Sequence, residues 1–204
     1  KAILLKSASD KNFGIDQLYN TTFSNSLTSG FIAFVELERV LTFKIYKCTF
    51  TNTASYTNIN NAGIGIWSKS SEMSFCPDIS FYNDGSCGNT FNKLGYGVRI
   101  ESPFSQKFNN IHVGIFTNCV YGVYCLNTSS GRFTFNIFNL TTAPYSGTNI
   151  YGIYIDGGNN SSIQENNFSG SSYNPASSDK KVGIYHNSTL EVNKFVRRNT
   201  FSNL

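Results

Sequence analysis

Gly152-Ile153-Tyr154-Ile155, followed by Asn166-Asn167-Phe168-Ser169, decides the fold of this chain. The first phrase alternates apolar and outward-type residues with the period of a strand, and the second centres one Phe in a run of turn-formers. Both recur. The glycine-led phrase returns as Gly30-Phe31-Ile32-Ala33, Gly63-Ile64-Gly65-Ile66, Gly97-Val98-Arg99-Ile100, Gly122-Val123-Tyr124-Cys125 and Gly183-Ile184-Tyr185-His186, at intervals of 33, 34, 25, 30 and 31 residues. The second returns around Phe23, Phe50, Phe91, Phe116, Phe138 and Phe201, six intervals that average about 30 residues with Phe168 included. Two interleaved series with one mean period mark a solenoid, a propeller or an array.

Helical repeats need apolar spacings of three and four over about ten residues, and no such stretch occurs. A propeller blade needs four strands in about 40 residues, whereas two or three short strands fit each period here. The repeat therefore predicts an all-β chain folded as a parallel β-helix of about seven coils, one domain over residues 1–204, with variable coil length absorbed at the turns. Composition agrees. Of 204 residues only 14% are charged while 15% are aromatic, and 26 Asn with many Ser and Thr supply an uncharged polar surface. No apolar run approaches the roughly 18 residues of a membrane span. Lys1-Ala2-Ile3-Leu4-Leu5 is too short for the core of a signal peptide. The net charge of +4 is spread thinly, its densest clusters being Lys180-Lys181 and Arg197-Arg198, so no nucleic-acid partner is expected.

The Gly-Ile-x-Ile and Asn-x-Phe-x-Asn segments resemble the right-handed parallel β-helix superfamily, the pectin-lyase-like fold, over nearly the whole chain. That resemblance implies a right-handed solenoid. The superfamily holds polysaccharide lyases and hydrolases, phage tail spikes, adhesins and many secreted bacterial modules, so the fold leaves function open.

Strand alternation assigns the faces. Phe31, Ile64, Val98, Val123, Ile153 and Ile184 are expected inward as one column, and Ala33, Ile66, Ile100, Cys125, Ile155 and His186 as a second. The seven Phe should stack like on like. Asn25, Asn52, Asn118 and Asn203, each two residues after a column Phe, are expected to form an internal or turn ladder of amides. Outward, Ile32, Gly65, Arg99, Tyr124, Tyr154 and Tyr185 should form one column, beside Phe34, Trp67, Glu101, Leu126, Asp156 and Asn187. Aromatic rings beside carboxylates suit a sugar, whose face stacks on a ring while its hydroxyls bond to acids. Trp67, Arg99, Glu101, Tyr124, Tyr154, Asp156 and Tyr185 are accordingly the candidate carbohydrate-binding residues; Tyr also fills a β surface well without any ligand.

Catalysis is not expected. Polygalacturonase-like members carry Asn-Thr-Asp, paired Asp, Gly-His-Gly and Arg-Ile-Lys. Only Gly97-Val98-Arg99-Ile100 is similar to the last, and Glu101 stands where Lys would follow. Glu101 and Asp156 lie two coils apart, roughly 10 Å by the strand spacing, at or beyond the separation an inverting glycosidase uses. Pectate-lyase-like members need clustered acids for Ca²⁺ and a basic residue to take the proton, and the 12 acids here are scattered. Glu36 and Glu38 read as a solvated face. His112 has no nucleophile arrangement around it, and His186 falls in an inward column. No catalytic residue, metal or cofactor is assigned.

Cys76 and Cys87 bracket the longest insertion, and a disulfide clamping it would imply an oxidising compartment. Cys48 and Cys125 are expected as buried thiols; Cys119, six residues before Cys125, has a second possible pairing there. The first strand starts at Ala2 without a cap and the chain stops at Leu204 within a coil, so we expect a piece of a longer polypeptide whose remainder is a partner. The expected function is a secreted or cell-surface bacterial module, extracellular and non-catalytic, serving as a rigid stalk or adhesive spacer with polysaccharide as a further partner. A polysaccharide lyase or glycoside hydrolase of the same fold, and a phage tail spike or fibre segment, are the alternatives.

Overall fold

The computed structural model describes residues 1–11, 17–26, 33–76, 87–102, 108–128, 130–141, 147–158, 161–171, 180–187 and 195–204. Among them 21 strands form three parallel sheets of seven. The first sheet holds β1 (Ile3–Lys11), β4 (Ala33–Val40), β7 (Ile64–Lys69), β10 (Tyr96–Glu101), β13 (Tyr121–Thr128), β16 (Ile150–Gly158) and β19 (Lys181–Asn187). The second holds β2 (Gln17–Tyr19), β5 (Phe43–Tyr46), β8 (Met73–Phe75), β11 (Phe108–His112), β14 (Ser130–Thr134), β17 (Ser161–Gln164) and β20 (Phe195–Arg197). The third holds β3 (Thr22–Asn25), β6 (Thr49–Asn52), β9 (Thr90–Asn92), β12 (Ile115–Thr117), β15 (Ile137–Leu140), β18 (Asn167–Gly170) and β21 (Thr200–Ser202). Each circuit adds one strand to every sheet in turn, and every pairing is parallel to the strand one circuit away. The chain is thus a parallel β-helix.

The core runs along the axis as columns of like residues. Phe23, Phe50, Phe91, Phe116, Phe138, Phe168 and Phe201 stack ring on ring, with centroids 4.8–5.1 Å apart and planes within 4–8° of parallel. The spacing is that of the strands that carry them. Burying each of Phe50, Phe91, Phe116, Phe138 and Phe168 contributes roughly 1.5–3 kcal/mol, and offset ring pairs add about 0.5–1.5 kcal/mol. Opposite them stand Val35, Ile66, Val98, Val123 and Ile153, and beside those Leu37, Ile100, Cys125 and Ile155.

The expected register of the glycine-led strands needs one correction. Gly65, not Gly63, aligns with Gly97, so Ile66 rather than Ile64 joins Val98, and Ser68 rather than Ile66 joins Ile100. Ile64 pairs instead with Ala33 and Tyr96. The reason is steric. A Cβ at Gly65, Gly97, Gly122, Gly152 or Gly183 would come within 2.6–2.8 Å of the Phe ring behind it, closer than real Cβ contacts allow. Gly63 does a different job: at φ 79° it ends the one-turn helix α1 (Ile59–Ala62), whose N-cap Asn58 accepts from the Asn61 amide. The same register puts Phe34 at the level of Gly65, and Phe34 is buried against Phe23 and Phe50 instead of facing out. Gly30, Phe31 and Ile32 lie outside the described residues.

The amide ladder also sits elsewhere than expected. It runs through the residue two before four of the column Phe, which is Asn89, Asn136, Asn166 and Asn199; Thr21, Cys48 and Gly114 hold that place before Phe23, Phe50 and Phe116. Asn136 Nδ2 donates to Asn166 Oδ1 at 2.9 Å, and Asn166 Nδ2 donates to Asn199 Oδ1 at 3.0 Å. The same side chains serve main-chain groups: Asn166 Oδ1 accepts from the Asn136 amide, and Asn199 Oδ1 from the Asn166 amide. Asn89 plays this part at Cys48, accepting from its amide and donating to Ile45 O. Of the four Asn expected, Asn118 and Asn203 occupy left-handed turns at φ 53° and 52°. Asn25 and Asn52 pair in strands, Asn52 donating to Ala62 O.

Left-handed residues mark the corner between the second and third sheets: Asn20, Lys47, Val113, Phe135, Glu165 and Arg198, all with φ of 49–57°. In the third circuit the insertion interrupts this corner. There Cys76 and Cys87 are disulfide-bonded, 11 positions apart, and Lys47 donates its amide to Cys87 O at 3.0 Å. Cys48, Cys119 and Cys125 are buried free thiols, and burial holds the last two up at about 12.

Candidate functional site

The outward face of the first sheet gathers the candidate residues. Register makes one column of Glu36, Trp67, Arg99, Tyr124, Tyr154 and Tyr185, and a neighbouring column of Glu38, Lys69, Glu101, Leu126, Asp156 and Asn187. Trp67 therefore stands directly beside Arg99 instead of in the Glu101 column, a consequence of the two-residue shift at Gly65.

Toward the chain's start the face is a closed network of charge. Glu36 is 2% exposed and bonded by Lys1 and Lys69, each at 2.8 Å, which corrects the expectation of a solvated carboxylate. Burial pushes its carboxyl up, but the two ammonium groups outweigh burial and hold it below the usual value. Lys69 Nζ also lies 3.6 Å from the centroid of the Trp67 ring. Arg99 Nε donates to Glu101 Oε1 at 2.7 Å, and Trp67 Nε1 donates to the other carboxylate oxygen at 3.1 Å. The Arg99 guanidinium is 5.2 Å from the Trp67 ring, 5.0 Å from Tyr96 and 5.7 Å from Tyr124. Trp67, Arg99 and Glu101 are thus brought together and bonded mainly to each other.

Further along, tyrosines take over. Tyr124, Tyr154 and Tyr185 stack at 5.3 and 4.5 Å. A second stack, Tyr96, Tyr121 and Tyr151, stands beside it at 5.1 Å spacings and meets the first edge to face. Sequence reasoning missed this second column, since alternation from Val98 places Tyr96 inside. Each glycine faces a core Phe and the residue after it is buried as well, so alternation breaks there. The signal was present as Tyr96-Gly97-Val98-Arg99, Tyr121-Gly122-Val123-Tyr124 and Tyr151-Gly152-Ile153-Tyr154. Burial raises the phenols of Tyr121, Tyr124 and Tyr154, so all three stay protonated donors across ordinary pH.

The stacking decides what the face presents. Each interior ring has its faces covered by its neighbours in the column, so those ring faces are not open to stack on a sugar. Asp156 accepts from Asn187 at 3.0 Å. Glu101 and Asp156 share a column with Leu126 between them, so the two acids stay two strands apart.

Elsewhere, His112 is 4% exposed and bonds Thr134 Oγ1 through Nδ1 at 2.6 Å; burial, then the Arg132 charge, lowers it to about 4, so it is neutral. His186 pairs with Ile155 in the inward column. A shallow depression of about 320 Å³ on the second sheet is lined by Lys44, Glu72, Ser74, Phe108 and Asn110. Among the described residues, no three His, Cys, Asp or Glu are grouped to hold a metal ion, and no helix is long and apolar enough to cross a membrane. No family model matches this chain, and no curated protein or solved structure matches it significantly.

Proposed function

We propose that this chain is a non-catalytic β-helix module of the pectin-lyase-like kind, secreted or displayed at a bacterial cell surface, where it acts as a rigid spacer. The observation that carries the reading is the seven-ring phenylalanine stack, kept within 8° of parallel at every step. A rod built this way holds its ends apart at a distance set by strand spacing, about 29 Å over six steps. The Cys76–Cys87 disulfide fits an oxidising compartment. The uncharged phenol edges of the outer face, with Asp156 and Asn187 beside them, offer a polysaccharide hydrogen bonds more than ring faces.

Pulling single molecules between Lys1 and Leu204 tests the spacer. A load-bearing rod yields coil by coil at high force; collapse in one low-force event overturns the reading. The non-catalytic half is tested by incubating the chain with acidic and neutral polysaccharides, with and without Ca²⁺. Unsaturated products or new reducing ends overturn it. Retention on any of those polymers that falls in Tyr154→Ala and Asp156→Asn supports the binding face, and retention unchanged in both removes it.

A further inference from the structure

The tyrosine face carries chemistry that neither spacing nor sugar binding uses. Tyr154 and Tyr185 are the closest of the stacked tyrosine pairs, with ring centroids 4.5 Å apart and planes 16° from parallel. The other stacked pairs lie at 5.1–5.3 Å. Tyr185 is 40% exposed, so an oxidant in solution reaches it directly. Tyr154 touches both Tyr151 and Tyr121 edge to face, which joins the pair to the second column. An oxidising equivalent taken up by any of the six rings is therefore in contact with a route to this pair. Asp156 lies two residues beyond Tyr154 on the same outer face, close enough to bear electrostatically on its phenol, and Asn187 holds it in place.

We propose that Tyr154 and Tyr185 are a site of oxidative coupling, joined as dityrosine by a peroxidase-type one-electron oxidant using hydrogen peroxide, so that β16 and β19 become covalently stapled. Each phenol gives up one electron and its phenolic proton. The two phenoxyl radicals form one carbon–carbon bond between ring positions ortho to the oxygens. The hydrogens on those two carbons then move to the phenol oxygens and restore both aromatic rings. Hydrogen peroxide takes the two electrons and two protons and leaves as two waters. The chain loses two hydrogens and nothing else. Parallel rings in contact favour this outcome because the radicals meet without diffusing. The tilted pair Tyr19 and Tyr46, at 4.8 Å and 37°, is an internal comparison with similar distance and poorer overlap. The inference does not depend on the spacer reading.

The experiment treats the whole chain, dilute, with a peroxidase and hydrogen peroxide. The expected product is a monomer lighter by two hydrogens, with dityrosine fluorescence and a cross-linked peptide pair containing Tyr154 and Tyr185. Tyr185→Phe, which keeps the ring and its stacking, should remove most of the fluorescence, while Tyr46→Phe leaves it unchanged. The cross-linked chain should melt several degrees higher, since the bond closes a loop of 31 positions. A cross-link mapped to Tyr19 and Tyr46, covalent dimers as the main product, or addition of oxygen without coupling each overturns the assignment. Full yield in Tyr185→Phe does the same. An unchanged melting temperature in the correctly linked product overturns the staple.

Discussion

Two aromatic ladders climb this molecule, one inside the third sheet and one outside the first, and they are built to different tolerances. The inner one is seven phenylalanines without a substitution, fully buried through its middle. The outer one holds six tyrosines in two columns, then gives way at Arg99 to an ion and cation–π network. Both repeat at the strand spacing, so parallel pairing alone stacks like on like. What differs is the other side of each ring. Phe91, Phe116, Phe138, Phe168 and Phe201 each face a glycine with no room for a methyl, whereas the outer tyrosines are half-buried or, at Tyr185, exposed. Register keeps the outer ladder aligned, while close packing forbids exchange in the inner one.

The sharpest way to break the comparison uses adjacent residues. Ile153→Asp places an unpaired carboxylate among Val123, Ile184 and the phenylalanines, costing several kcal/mol, enough to unfold a domain of ordinary stability. Circular dichroism of the purified variant should show the loss of the folded signal. Phe138→Ala comes next. It opens a gap between Phe116 and Phe168 and should lower the stability read from urea melts by about 3–5 kcal/mol.

His112 sharpens the comparison, because alternation puts it on the outward side of the second sheet while Phe135 and Thr134 bury it. Its pKa in the fold, about 4, lies below its value of 6.5 in an unfolded chain. As pH falls, the unfolded state takes up the proton first. The stabilisation is whole above about pH 6.5 and is lost as pH drops toward 4, a loss of about 3 kcal/mol. Urea melts across that window should show the decline in the native chain and a flatter profile in His112→Gln. The smallest effect is Tyr154→Ala, expected at about 1 kcal/mol in the same melts. A melting temperature as low as that of Phe138→Ala would show that the outer ladder is as demanding as the inner.

These two ladders also mark what the sequence made legible. The phenylalanine column could be read because one residue type recurs at one period and packs against its own kind. The amide ladder was misplaced because 26 Asn crowd both flanks of those Phe, and only the corner backbone distinguishes two before from two after. The register at β7 was misjudged because Gly63 and Gly65 both fit the pattern, and only the Phe91 ring tells them apart. At the site, the Tyr124, Tyr154 and Tyr185 column followed from alternation. The Tyr96, Tyr121 and Tyr151 column did not, since alternation breaks where the glycine and the residue after it both face the core. The burial of Glu36 was invisible for another reason: its two partners, Lys1 ahead of β1 and Lys69 on β7, lie 35 and 33 positions away in sequence.

The disulfide at the third circuit has a consequence for how such a chain changes length. Ile45 pairs with Phe75, and Thr49 with Thr90, so Cys76 and Cys87 fall at the same level of the stack, beside Tyr46. The bond ties the two ends of the inserted segment together at the wall, and the phenylalanine stack passes from Phe50 to Phe91 at 4.9 Å as if nothing intervened. The pairing of the circuits on either side is therefore set without the positions between those cysteines. A peptide of foreign sequence and length exchanged for residues 77–86 should leave the pairing of the circuits on either side unchanged.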